Sequence, residues 1–150
     1  MVSYGVRKLR KNLMNIGIVG CGNISETYFE CQKIFNNFNI VACADINKEA
    51  ASNAASKYNV KALSVDEILE DKEVDLIINL TIPAAHKEII TKSLLNGKHC
   101  FSEKPLAMNF EEGIEIEKLA NEKGLYVGCA PDTFLGAAGQ KARKLIEDNR

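Results

Sequence analysis

The chain has 150 residues, of which 46% are hydrophobic and 26% charged, enough for one ordinary globular domain with a real core. Nineteen basic and 20 acidic residues leave a formal net charge of −1, which excludes an electrostatic grip on nucleic acid or anionic lipid. No apolar run is long enough to span a bilayer, so no membrane partner is expected either.

The five cysteines, Cys21, Cys31, Cys43, Cys100 and Cys129, are odd in number and form no C-x-x-C pair. That pattern predicts reduced thiols in a cytoplasmic setting, with neither a disulfide framework nor a metal site. Residues 1–13 carry Arg7, Lys8, Arg10 and Lys11 without an acid and without periodicity, and are expected to form a mobile basic extension. The domain proper is expected over residues 14–150.

Ile16, Ile18 and Val19 form a short buried strand that runs into Gly20, Cys21, Gly22, Asn23 and Ile24, followed at once by a helical pattern. Gly20 can take backbone angles other residues avoid, and Gly22 has no side chain to hold an anion away from the main chain. The free amides at the start of the following helix suit a diphosphate. Ser25 stands at the third fingerprint position, small enough for close helix–strand packing. Cys21 reads as a small filler of the turn. Ile24, Tyr28, Cys31 and Phe35, at spacings of four, three and four, are expected to form the buried face of that helix.

A second strand over residues 39–45 ends in Asp45, 20 residues past Ser25, where a carboxylate accepts hydrogen bonds from an adenosine ribose. The same charge disfavours the extra phosphate of NADP, and Lys48 is the one nearby cation, so NAD is the expected cofactor and NADP the lesser choice. Asn47 caps a helix with Ala51, Ala54, Ala55 and Tyr58 inward. A brief extended piece near 60–63 precedes a short helix capped by Ser64 and Glu67.

Residues 74–80 form a strand buried on both faces, ending at Thr81, with Pro83 opening a helix that stops at Asn96 and Gly97. Thr81 is placed to donate its hydroxyl to the cofactor, and Pro83 to fix the turn. His86, in the first turn of that helix, stands among the cofactor candidates, although a packed or capping role suits it better. A strand over 98–102 leads to Glu103, Lys104 and Pro105. There an ammonium can stabilise a developing alkoxide during hydride removal, and Glu103 can hold that ammonium in place. The Lys104-Pro105 bond lies in a tight turn, where the cis isomer concentrates. A helix from Asn109 to Gly124, a strand over 125–129 and an amphipathic segment with Leu135, Ala138, Ala142 and Leu145 on one side complete the chain. The alternation predicts an α/β fold with a doubly wound parallel sheet.

Gly20 to Ile24, Asp45, Thr81 to His86, Asn96 to His99 and Glu103 to Ala107 follow one another in an order and spacing that resemble the N-terminal NAD(P)-binding Rossmann domain of the Gfo/Idh/MocA oxidoreductases. The resemblance covers residues 14–150. It implies an NAD(P)-dependent dehydrogenase acting on a sugar, an inositol-like polyol or a related hydroxy compound. Lys104 would be the catalytic residue serving both cofactor and substrate. Cofactor contacts would come from Gly20, Cys21, Gly22, Asn23, Ile24, Asp45, Thr81, Pro83, His86, Glu103 and Lys104.

The family's C-terminal α+β domain, which supplies most substrate contacts and an Asp-x-x-x-His pair, has no counterpart in these residues, so the chain is expected to bind NAD(H) weakly and turn nothing over. Residues 128–136 resemble a bacterial subgroup, with Asp132 and Thr133 as substrate-contact candidates and helix capping the better role for Asp132. A homo-oligomer is possible in such a family. The competing reading is a non-catalytic dinucleotide sensor or interaction domain of the same fold.

Overall fold

Strands and helices alternate along the described residues. The strands are β1 (Met14–Val19), β2 (Phe38–Ala44), β3 (Lys61–Leu63), β4 (Leu76–Asn79), β5 (His99–Ser102) and β6 (Val127–Cys129). The helices are α1 (Ser25–Cys31), α2 (Lys48–Tyr58), α3 (Val65–Glu70), α4 (Pro83–Leu95), α5 (Phe110–Lys123) and α6 (Ala137–Glu147). The computed structural model describes residues 13–130 and 136–148. The basic residues Arg7, Lys8, Arg10 and Lys11, and Asp132, Thr133 and Leu135, lie outside the described residues.

All six strands join one parallel sheet in the order β3-β2-β1-β4-β5-β6. The order turns around at β1. From its carboxyl end the chain first builds outward through β2 and β3, then returns to the other edge of β1 with β4 and builds out to β6. Such a reversal opens a crevice above the carboxyl ends of β1 and β4, because the two crossovers leave in opposite directions.

The strand side chains alternate between two cores. On one face Ile16, Ile18, Ile40, Cys43, Ile78 and Leu80 meet Phe29 of α1 and Ala55 of α2. On the other, Val19, Ala42, Ala44 and Ile77 meet Ile68 of α3, Ile90 and Leu94 of α4 and Ile116 of α5. The brief extended piece expected near residues 60–63 is a full member of the sheet, β3, paired with β2.

The helix ends follow from local chemistry. Asn47 Oδ1 accepts from the amides of Glu49 and Ala50, Ser64 and Glu67 form a reciprocal capping box, and Asn109 Oδ1 accepts from the Glu112 amide. Gly124, at φ +64°, ends α5 in the left-handed conformation.

One face is corrected. Helix α1 ends at Cys31, so Phe35 lies beyond it and is 52% exposed, as Ile24 is at 46%. The residues that α1 buries are Ser25 and Phe29, and Phe29 stacks on Tyr58 of α2 with ring centroids 4.2 Å apart. The spacing of four, three and four runs past the end of a seven-residue helix, so it describes no single face of it.

Candidate functional site

The crevice floor is Gly20, which follows the last residue of β1. Its φ of +102° is unfavourable for any residue with a side chain, and a Cβ there would lie 2.7 Å from the carbonyl carbon and oxygen of Leu80. Glycine is therefore required twice at this point, by conformation and by the closeness of the chain leaving β4. Gly22 is different. A Cβ there would meet nothing within 4 Å, so the fold itself does not demand glycine at that position.

The loop closes on itself through Ser25, whose amide and hydroxyl both donate to the Gly22 carbonyl, at 3.0 and 2.6 Å. Ser25 is buried, and its smallness allows α1 to sit close over the sheet. The amides of Gly22, Asn23 and Ile24 donate to no acceptor among the described residues, and all three residues are exposed. Three successive exposed amides without an acceptor are donors available to an anion. A helix of only seven residues adds little macrodipole, so the loop amides carry this property.

Asp45 lies one strand away and is built into the same loop. Its Oδ2 accepts the Cys21 amide at 2.7 Å, and its Oδ1 accepts the Asn47 amide at 2.8 Å. Each oxygen keeps a further lone pair for a ligand hydroxyl. The Cys21 thiol points away from the crevice chemistry toward the Ala44 carbonyl at 3.6 Å. Its hydrogen bond with Cys43, and after that burial, push its ionisation far up, which makes it an inert filler.

Across the reversal, Thr81 follows β4. Its hydroxyl donates to Asn79 Oδ1 at 2.7 Å, so the expected donation to a cofactor gives way to an internal bond, and the oxygen is left as an acceptor. Asn79 is fully buried and organises this corner. Its amide nitrogen donates to Ser102 Oγ at 3.2 Å and its oxygen also accepts the Thr81 amide. The sequence reading passed over it, although an asparagine inside an otherwise apolar strand was the available signal.

Pro83 is the first residue of α4 and is exposed at the rim. His86 is fully buried, with Nδ1 2.6 Å from the Pro105 carbonyl and Nε2 2.9 Å from the Thr81 carbonyl. Its candidacy as a cofactor contact yields to the packed role, because no part of the ring opens on the crevice. The imidazole is a strut between the loop after β4 and the loop after β5.

That second loop carries Glu103, Lys104 and Pro105, and the Lys104-Pro105 peptide is cis. Glu103 was expected to hold the Lys104 ammonium. Instead its Oε1 accepts the Tyr28 hydroxyl at 2.8 Å, and its Oε2 faces the main-chain amide of Lys104 at 3.2 Å. The Lys104 side chain is exposed and its ammonium has no acidic partner among the described residues. The carboxyl ends of β1, β2, β4 and β5, adjacent in the sheet, thus bring together a loop with open amides, a carboxylate and a cation without an acidic partner among the described residues. Among the described residues no group of three or more His, Cys, Asp or Glu could hold a metal ion.

The model of an oxidoreductase family with an NAD-binding Rossmann fold, GFO_IDH_MocA, matches residues 14–130. The chain is 31% identical over 139 residues to the 2,7-anhydro-N-acetylneuraminate hydratase of Escherichia coli, covering 91% of this chain and 36% of that protein. It is 28% identical over 101 residues to the myo-inositol 2-dehydrogenase of Thermotoga maritima, covering 66% of this chain and 30% of that one. It therefore spans about a third of the length of these curated relatives. Among solved structures, the WlbA dehydrogenase of Chromobacterium violaceum, in complex with NADH and UDP-GlcNAcA, superimposes with a TM-score of 0.90 at 21% identity, covering 99% of this chain and 44% of that one. At that identity the likeness is one of fold.

Proposed function

The chain belongs to the Gfo/Idh/MocA oxidoreductase family, with its NAD-binding Rossmann fold, and from that premise we propose that residues 14–150 are the cofactor-binding part of a dehydrogenase acting on a sugar, inositol-like polyol or related hydroxy compound. The observation that carries this reading is the joint construction of the glycine loop and Asp45. The carboxylate takes the Cys21 amide, and the next three amides face outward with no acceptor of their own among the described residues.

The residues fit a nicotinamide dinucleotide. The amides of Gly22, Asn23 and Ile24 would hold the diphosphate, and Gly22 leaves open space where a side chain would push it off. Asp45 would accept the adenosine ribose hydroxyls. The same negative charge stands against a 2′-phosphate there, and neither Ile46, 94% exposed, nor Asn47, engaged in capping α2, offers a cation in return. NAD is accordingly the cofactor of this reading. Pro83 and the Thr81 oxygen would border the nicotinamide half.

When bound, the nicotinamide supplies the group that takes or gives hydride. Lys104 does the rest that this chain contributes. Its exposed ammonium would lie against the substrate hydroxyl, lowering the cost of negative charge on that oxygen as the carbinol carbon is oxidised. The relative from Thermotoga acts on myo-inositol by its name, which supports a polyhydroxy substrate.

Fluorescence titration of the chain with NADH and with NADPH tests the reading. NADH is expected to bind, and more tightly than NADPH. Asp45→Ala is expected to weaken NADH about tenfold, the worth of a charge-assisted hydrogen bond, and to narrow the gap between the two cofactors. Equal or tighter binding of NADPH by the unaltered chain would refute the cofactor assignment. Binding of neither would refute the dinucleotide site.

A further inference from the structure

Tyr28 sits on α1, one turn past the glycine loop, and its ring packs beside the core of Ile16, Ile18 and Phe29. Its hydroxyl leaves that core and donates 2.8 Å to Glu103 Oε1, 75 residues away in the chain. This is a direct side-chain bond between the helix that follows the anion loop and the loop that bears Lys104. The second carboxylate oxygen faces the Lys104 main-chain amide. Each Glu103 oxygen thus holds one donor already, and among the described residues no ion pair joins the carboxylate to the Lys104 ammonium.

That arrangement has a chemical consequence. A glutamate beside a lysine in a loop would ordinarily be free to swing onto the ammonium, and the pair would screen the positive charge from any ligand. From these contacts we infer that Tyr28 is a positioning residue: it holds Glu103 off Lys104, so that the lysine charge stays available to the nicotinamide half of a bound cofactor and to the substrate. The inference rests on the proposed dinucleotide reading and adds to it a residue on a different element.

Tyr28→Phe removes the hydroxyl and keeps the ring, so the packing beside Ile16, Ile18 and Phe29 is preserved. With the hydroxyl gone, Glu103 is released to pair with Lys104. Calorimetric titration of the full chain with two probes separates the possibilities. ADP-ribose reports the glycine loop and Asp45 alone, and NADH reports these plus the nicotinamide half.

In the unaltered chain both probes are expected to bind. Tyr28→Phe is expected to leave ADP-ribose affinity unchanged and weaken NADH about fivefold, part of the value of one charge-assisted contact. Glu103→Gln cannot form the competing ion pair, so in that background Tyr28→Phe should have no further effect on NADH. Equal weakening of both probes by Tyr28→Phe, or of neither, would overturn the inference while leaving the dinucleotide site standing. So would the same NADH loss in the Glu103→Gln background. Failure of the unaltered chain to bind either probe would instead remove the site, and this inference with it.

Discussion

The two ends of the sheet bury polar groups for different ends. At the amino end Lys98 is 4% exposed, and its ammonium donates to the carbonyls of Asp71 and Val74, the latter at 2.9 Å. Close by, Asp75 Oδ2 accepts the Asn15 amide at 2.9 Å and His99 Nδ1 accepts the Tyr126 amide at 3.0 Å. These charges and donors are used to fasten turns. At the carboxyl end a similar inner layer exists in Asn79 and His86, both fully buried. Above it lies a second layer, the amides of Gly22 to Ile24 and the Lys104 ammonium, which fastens nothing among the described residues. The difference teaches that the buried polar groups hold structure at either end, whereas the outer layer at the carboxyl end keeps donors and a charge open, as the proposed site requires.

Substitutions can break that comparison, and the largest effect is expected at His86. Removing the ring in His86→Ala leaves a cavity and takes the ring nitrogens from beside the carbonyls of Thr81 and Pro105, one of which loses its donor. A loss of about 3 kcal/mol in urea-denaturation stability is expected, with NADH affinity falling alongside as both rim loops lose their strut. A variant as stable as the parent would show that the imidazole fastens nothing.

Lys98→Met comes next and probes the opposite end. It is expected to cost about 2 kcal/mol, because two main-chain carbonyls lose a donor, and to leave NADH affinity unchanged. Burial lowers the Lys98 pKa below its ordinary 10.5. The folded chain therefore holds that proton less tightly than the unfolded chain, and unfolding takes up a proton between the lowered value and 10.5. Raising the pH through that window disfavours unfolding of the parent alone, so its advantage over Lys98→Met should widen. A gap that stays flat in stability curves across that range would remove the buried ammonium from the account.

The smallest stability effect sharpens the comparison most. Gly22→Ala adds a methyl that meets no atom within 4 Å. Its unfolding free energy is expected to change by less than about 0.5 kcal/mol. NADH affinity should fall about tenfold, as the methyl holds the diphosphate from the amides that would bind it. A methyl that disturbs stability and spares affinity would reverse the assignment of Gly22 from ligand to fold.

Most of the architecture was legible in the residues. Asn47, Ser64 with Glu67, Asn109 and Gly124 act at short range, so their capping roles can be read without knowing the rest of the chain. Apolar runs such as Leu76–Asn79 announce strands covered on both faces. The buried side of α1 was not legible, because in a seven-residue helix a single step of register rotates the face by about 100°, and Phe29 and Tyr28 exchange roles.

The glycine loop and Asp45 were legible as a pair by spacing. What Glu103 bonds to was not, since its partner Tyr28 is brought to it by strand order and packing. Glu103 lies 75 residues from Tyr28, and local sequence carries no record of that meeting.

The placement of β1 between β2 and β4 also sets a timetable for synthesis. Met14 meets Phe38 early, but Ile16 waits for Leu76, some 60 residues later, before the other edge of β1 is covered. A growing chain on the ribosome can thus fold its Asp45 side while the Lys104 side is still untranslated, with one bare strand edge held open for the arriving partner.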